Sequence, residues 1–366
     1  MTRILLCQLG SYGDCLYATT IARQIKEDYP DCHLTWAIGS KYKNILNNNP
    51  HVDEVWEYPI SNRLELKTKW FEFVKEVLIR KEQGDFDKVY FTQAYPGNPQ
   101  HFRDVLRASM FRAYENPITV PIDPVIQLSV QELDSVFYFV EVNRIANYTH
   151  RILFEWSPES GQSFVTSGMV LEVVKEIINR FPDACIILSG TDRIGLDNPN
   201  IIDGGALTFR ENAELTKYCT LFIGTGSGIT QICTSDWAKP LPMIQLLQKG
   251  TVASLINDRE YFRLPVDNII EMTNCTSRHV IDCITSVILN GFAISRQTYC
   301  ERIYPDFNII RFHMRFDSAV ITGQYLEIIP AFITACKEYG LNRGLLGFLS
   351  TFPASIIILI RRKIEG

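Results

Sequence analysis

The residues best suited to chemistry fall in four short stretches. The first is LGSYGDCLYAT, residues 9–19, in which one carboxylate, Asp14, follows two glycines. Gly10 and Gly13 let the backbone turn tightly and come close to a ligand, with Ser11 between them. A carboxylate at this point is placed to take a proton from a hydroxyl nucleophile. It is also a residue type that caps helices. The order G-x-G-x-x-G is missing, so dinucleotide binding is not indicated.

The second stretch is FIGTGSGITQIC, residues 222–233. A strand runs to Gly224, the small residues Thr225, Gly226, Ser227 and Gly228 follow, and a helix begins near Ile229. Backbone N–H groups at such a start gather an anion, and the helix dipole strengthens the attraction. Thr225 and Ser227 add hydroxyl donors. There is no G-K-[ST], so this is not a Walker A loop. The suited ligand is the diphosphate of a nucleotide conjugate held without a dedicated lysine; a plain glycine-rich turn is the alternative. The third stretch, EWSPESGQS (155–163), offers Ser157, Ser160 and Ser163 to phosphate or sugar, or is a solvated loop. In the fourth, GNPQHFRDVLR (97–107), His101, Arg103 and Arg107 meet an anionic acceptor or open a solvated helix.

These stretches need elements to hold them. Short apolar runs at 3–10, 33–39, 52–59 and 87–94 read as buried parallel strands, with helices at 14–29, 42–49 and 70–82 between them. The pattern weakens around 117–135, where Pro117, Pro121 and Pro124 cluster. It resumes with strands at 151–157, 184–190, 200–205, 220–224 and 242–248 and helices at 169–182, 209–219 and 229–237. Alternation at this spacing means right-handed crossovers over parallel sheets. The stretch RFPDACIILSG in one half echoes DYPDCHLTWAIG in the other. The expected class is α/β, with two Rossmann-like domains whose parallel sheets face a cleft. Their bounds are 1–150 and 151–325, with a helical tail at 326–366. Ligands of such sheets bind outside the carboxyl ends of the strands, where the first two stretches fall. No motif stands out in 251–340.

The 366 residues carry a net charge of -5, which argues against a general nucleic-acid binder. Ten cysteines are scattered without a C-x-x-C pair or zinc-site spacing. They read as buried, reduced thiols of a cytosolic protein, and the remaining histidines show no ligand spacing. No metal is expected. MTRILLCQLG enters a glycine loop without a cleavage site and so does not read as a signal peptide. Residues 344–360 hold no charge and are flanked by Arg343 and by Arg361, Arg362 and Lys363. At this length, with Pro353 inside, they suit an interfacial anchor with snorkelling basic residues, or a helix packed on the protein itself.

Taken together, the two glycine motifs resemble glycosyltransferase family nine, the ADP-heptose:lipopolysaccharide heptosyltransferases, over roughly residues 3–60 and 150–250. The opening LLCQLGSYGDCLYATTIARQIKEDYPDCHLTWAIG, the stretch NPHVDEV (49–55), FDKVYFTQ and DGGALTFRENAELTKYCTLFIGTGSG carry the likeness. It implies a GT-B fold, with the acceptor in the N-terminal domain and the nucleotide-sugar in the C-terminal one. It implies an inverting transfer with Asp14 as general base and Glu211 or Glu214 toward the ribose; Ser11, Gly13, His101 and Arg103 are expected toward the acceptor. The family's phosphate motif keeps only Ser227 and Gly228 here; Gly226 stands at its aspartate position and Gln231 at its histidine position. Gln231 can donate to a phosphate without bringing charge. These departures imply a different base or sugar. The expected protein is a transferase of hexosyl or heptosyl groups to a surface-glycan or lipid-linked acceptor, peripheral on the cytoplasmic face of the inner membrane. The alternative is a catalytically altered GT-B protein that binds, hydrolyses or epimerises a nucleotide-sugar.

Overall fold

The computed structural model describes residues 1–98, 101, 105–157, 161–190, 198–304 and 333. Arg103, Ser160 and the basic-flanked segment 344–363 lie outside the described residues. Two compact units divide the described chain. One holds Met1–Asn44 and His51–Val120; the other holds Ile45–Pro50 and the described residues of Pro121–Pro305.

The first unit opens with β1 (Arg3–Cys7), whose last four residues are all buried. Burial on both faces is why the strand is apolar throughout instead of alternating. The helix α1 (Tyr12–Asp28) follows, then β2 (His33–Gly39), β3 (Glu54–Tyr58), α2 (Arg63–Glu82), β4 (Lys88–Phe91) and α3 (Leu106–Phe111). The sheet runs β3-β2-β1-β4 with every pairing parallel. Two helices differ from the pattern expected from sequence. The run at 42–49 is a 3-10 turn over Ser40–Leu46. α2 begins well before residue 70 because Asn62 Oδ1 caps it, accepting from Glu65 N at 3.0 Å. Its inner face buries Trp70, Phe73 and Val77 against Leu5, Cys7 and Ala37 of the sheet. Each such side chain contributes roughly 1.5–3 kcal/mol.

The second unit begins with α4 (Val130–Val142), where the sequence pattern is weak. Its start is fixed by a reciprocal cap. Glu132 N donates to Ser129 Oγ at 3.2 Å, and Ser129 N donates to Glu132 Oε2 at 2.8 Å. The buried Arg210 donates to the other Glu132 oxygen at 2.7 Å. The alternation then runs β5 (His150–Glu155), α5 (Ser167–Arg180), β6 (Ala184–Ser189), β7 (Ile201–Asp203), α6 (Glu211–Leu215), β8 (Leu221–Gly224), α7 (Gly228–Ile232) and β9 (Met243–Leu247). α6 and α7 are each shorter than the helices expected at 209–219 and 229–237. Next come α8 (Leu255–Tyr261), β10 (Ile269–Thr273), α9 (Ser277–Asn290) and α10 (Phe292–Tyr299), from a stretch without a readable motif. The six strands order β10-β9-β8-β5-β6-β7, all parallel. Val170, Val173, Val174 and Ile177 of α5 pack on one face with Val280, Ile281 and Ile284 of α9.

Candidate functional site

In the first unit, β1 delivers the chain to Leu9 and Gly10, and α1 starts two residues later. Gln93, just past β4, organises this turn. Its Oε1 accepts from the N–H groups of Leu9 and Gly10, both at 3.1 Å, and from Gln8 Nε2 at 3.0 Å. Its amide donates to Gly10 O at 2.5 Å and to Tyr95 O at 3.0 Å. Gln8 and Gln93 are buried. A side chain at Gly10 would meet the Tyr42 ring 2.5 Å away, so glycine is required at this close approach.

Ser11 is the N-cap of α1, and Asp14 is the third residue of the helix. One Asp14 carboxylate oxygen accepts from Ser11 N at 3.3 Å and from Ser11 Oγ at 3.4 Å. Asp14 therefore takes the acidic position of a capping box and Ser11 the cap itself. The carboxylate is half-buried at the carboxyl end of β1, with Gly13 beside it on the same turn. Neighbouring Cys15 is buried, and burial, then the Asp14 charge, raises its thiol well above the usual range, which makes it inert. His101 is half-buried, and its carbonyl accepts from Arg112 Nη1 at 2.8 Å. A polar cavity of about 440 Å³ lined by Arg3, His33, Glu54 and Arg80 also belongs to this unit. Arg3 and His33 open their strands, so it lies at the amino ends, the edge away from Asp14.

In the second unit the turn between β8 and α7 is built around a carboxylate that the sequence motifs did not single out. Glu155 ends β5 and is 1% exposed. Its Oε2 accepts from Thr225 N at 2.8 Å and from Thr230 Oγ1 at 2.7 Å, and its Oε1 accepts from Ser227 Oγ. Gly226 has φ +71 and donates to Thr230 Oγ1 at 3.2 Å. Gly224 pairs with Gln245 of β9, and Gln245 with Glu271 of β10. A row of buried polar groups thus crosses the carboxyl end of the sheet. Among the described residues, Thr225 Oγ1, Gln231 Oε1 and Gln245 Nε2 are buried without a hydrogen-bond partner.

Glu271 repeats the device one turn along. It accepts from Ser254 Oγ at 2.8 Å and from Ile256 N at 3.1 Å, at the start of α8. Burial raises its carboxyl to about 7, although these donors pull the other way.

The other residues expected at a donor site have local roles. Ser157 follows β5 and packs on Gly190, where an added Cβ would come within 2.9 Å of the Ser157 Cβ. Glu211 is buried, and its carboxylate accepts from Thr208 N at 2.5 Å. Glu214 accepts from Lys217 Nζ at 2.6 Å and from Trp237 Nε1 at 2.7 Å. Among the described residues, no group of three histidine, cysteine or carboxylate side chains gathers around a possible metal position. Nor is any helix there long and apolar enough to cross a membrane. The one available signal for Glu155 was an acid at the end of the otherwise apolar RILFE, at the sheet edge where ligands bind.

No family model matches the chain, and no curated protein matches it. Solved structures do. A glycosyltransferase family 9 structure from Veillonella parvula aligns at TM-score 0.53 and 12% identity, covering 81% of this chain and 94% of that one. The ADP-heptose lipopolysaccharide heptosyltransferase II of E. coli aligns at TM-score 0.53 and 14% identity, covering 79% and 99%. The resemblance read from the glycine motifs therefore extends to the fold, which is GT-B with two Rossmann-like units.

Proposed function

We propose that the protein is an inverting glycosyltransferase that moves a sugar from a nucleotide-sugar to a hydroxyl of a surface-glycan or lipid-linked acceptor. The observation that carries the reading is the position of Asp14. It is a half-buried carboxylate on the first turn of α1, at the carboxyl end of a central parallel strand, within the fold shared with the two solved transferases above. In the proposed step the acceptor oxygen bonds to the anomeric carbon and its proton passes to Asp14. The bond to the nucleoside diphosphate breaks, and the diphosphate leaves with the electron pair. Ser11, held to Asp14, keeps the carboxylate oriented. Ser11 and Gly13, with His101 and Arg103, are proposed to face the acceptor. Thr225, Gly226, Ser227, Gly228 and Gln231, with Ser157 and Glu211, are proposed to face the donor. The reading requires neither metal nor cofactor.

We place the reaction on the cytoplasmic face of the inner membrane, with residues 344–363 touching lipid. Their basic flanks suit an anionic headgroup layer. Co-sedimentation with phosphatidylglycerol vesicles, lost when the chain is cut at 343, checks this point.

One observation favours a second reading, in which the chain hydrolyses, epimerises or only binds a nucleotide-sugar. The donors of the β8–α7 turn are engaged by Glu155. Incubation with a panel of nucleotide-sugars separates the two. Nucleoside diphosphate released only with acceptor present, and not by Asp14→Asn, supports transfer. Release to water supports hydrolysis, and binding without release supports a binding protein.

A further inference from the structure

We infer that Glu155 is a specificity-determining residue that competes internally for phosphate at the β8–α7 turn. The inference rests on the proposed donor site and deepens it. A buried carboxylate is ordinarily paired with a cation or a metal, yet among the described residues Glu155 meets only the Thr225 N–H and the hydroxyls of Ser227 and Thr230. Those three groups are the donors that a phosphate at this turn would take. The Gly226 N–H is engaged as well, by Thr230 Oγ1. Gly224 makes the arrangement possible, because a Cβ there would lie 2.6 Å from Thr230 Oγ1.

A phosphate entering the turn would meet a like charge across a poorly screened distance and find its donors in use. It would also leave Glu155 without partners if it took them. The groups left over have a different character. Three buried side-chain atoms here lack partners: Gln231 Oε1 accepts, Gln245 Nε2 donates and the Thr225 hydroxyl does both, the mixed set that a hydroxyl group matches. They suit the hydroxyls of a ribose or a sugar. The turn around Glu155 therefore favours a hydroxyl-bearing part of the ligand and holds free diphosphate weakly, which speeds loss of the leaving group after transfer.

The test is isothermal titration of the full chain with ADP, GDP, UDP and inorganic pyrophosphate. Glu155→Gln keeps the shape and removes the charge. It is expected to bind pyrophosphate, and the best of the three nucleotides, roughly tenfold tighter or more than the unaltered chain. Glu155→Asp keeps the charge and is expected to show no gain. Equal or weaker binding by Glu155→Gln overturns the inference and leaves the donor-site reading intact if the unaltered chain binds a nucleotide. An equal gain in Glu155→Asp assigns the effect to loosened packing and also overturns it. If Glu155→Gln fails to fold, Glu155→Met carries the same test: a roughly tenfold gain for pyrophosphate supports the inference and an unchanged or weaker affinity overturns it. Absence of binding in every variant removes both the inference and the donor site.

Discussion

Gln93 Oε1 accepts the N–H groups of Leu9 and Gly10, each at 3.1 Å, and so fixes the backbone that leads from β1 into the helix carrying Asp14. The same side chain returns a hydrogen bond to Gly10 O. Replacing it with alanine leaves the two buried N–H groups without that acceptor, while Gly10 O keeps its hydrogen bond from Gln8 Nε2 at 2.7 Å. Gln93→Ala is expected to cost roughly 2–4 kcal/mol in urea unfolding, since each orphaned buried group costs on the order of 1–3 kcal/mol. If Gln93 positions Asp14, transfer should fall further than the loss of folded protein explains. A loss of activity that only tracks the folded fraction would reduce Gln93 to a structural brace.

Asp14 has two roles that can be separated. As the acidic member of the capping box it stabilises α1 by on the order of 0.5–1 kcal/mol. As a base it contributes about 10²–10⁴ in rate. Asp14→Asn keeps a side-chain oxygen for Ser11 and loses the basicity. Transfer is expected to fall by about that factor, with melting nearly unchanged and nucleotide affinity within a few-fold. A stability loss accompanied by normal turnover of the folded fraction would make Asp14 a cap and nothing more.

The sheets were legible because strands buried on both faces leave continuous apolar runs, as in RILLC and ACIILS. β10 was harder to read because its run IIEMT carries Glu271, a buried acid in a strand core. α4 escaped because Val130, Phe137, Tyr138 and Val142 are exposed, which blurs its helical period. At the site, the glycine turns announced themselves through glycines that only a close backbone approach explains. Glu155 and Gln93 did not, because each acts on a turn distant in sequence. Ser227 and Glu155 are 72 positions apart, and Gly10 and Gln93 are 83 apart.

Gly226 tests the shape of the second turn without touching its charge. Its φ of +71 falls where side chains are strained, and an added Cβ would lie 2.8 Å from Leu247 Cδ2. Gly226→Ala is expected to cost about 1–3 kcal/mol in thermal or urea unfolding. It should also weaken nucleotide binding by shifting the N–H groups of Thr225 and Ser227. Unchanged stability and affinity would mean that the turn adjusts freely and that its geometry is not built for a ligand.

Glu271 gives the second unit a stability that depends on pH. Burial raises its carboxyl from the ordinary 4.5 to about 7. Between those values the folded chain keeps a proton that the unfolded chain has released, so this group's contribution falls as pH rises. At about 1.4 kcal/mol per pH unit, the loss reaches roughly 3 kcal/mol by the alkaline end of the window. Glu132 works in the opposite sense. Burial would raise its carboxyl, yet Arg210 and Ser129 bring it below the ordinary range. Its contribution is complete above the unfolded value and disappears only in acid. Urea unfolding at pH 5.5 and pH 8 should therefore find the unaltered chain weaker at pH 8. Glu271→Gln should abolish most of that difference, because a neutral amide keeps the contacts to Ser254 and Ile256 without a charge to bury. If Glu271→Gln weakens by the same amount between the two pH values, the loss arises elsewhere and Glu271 is ionised throughout.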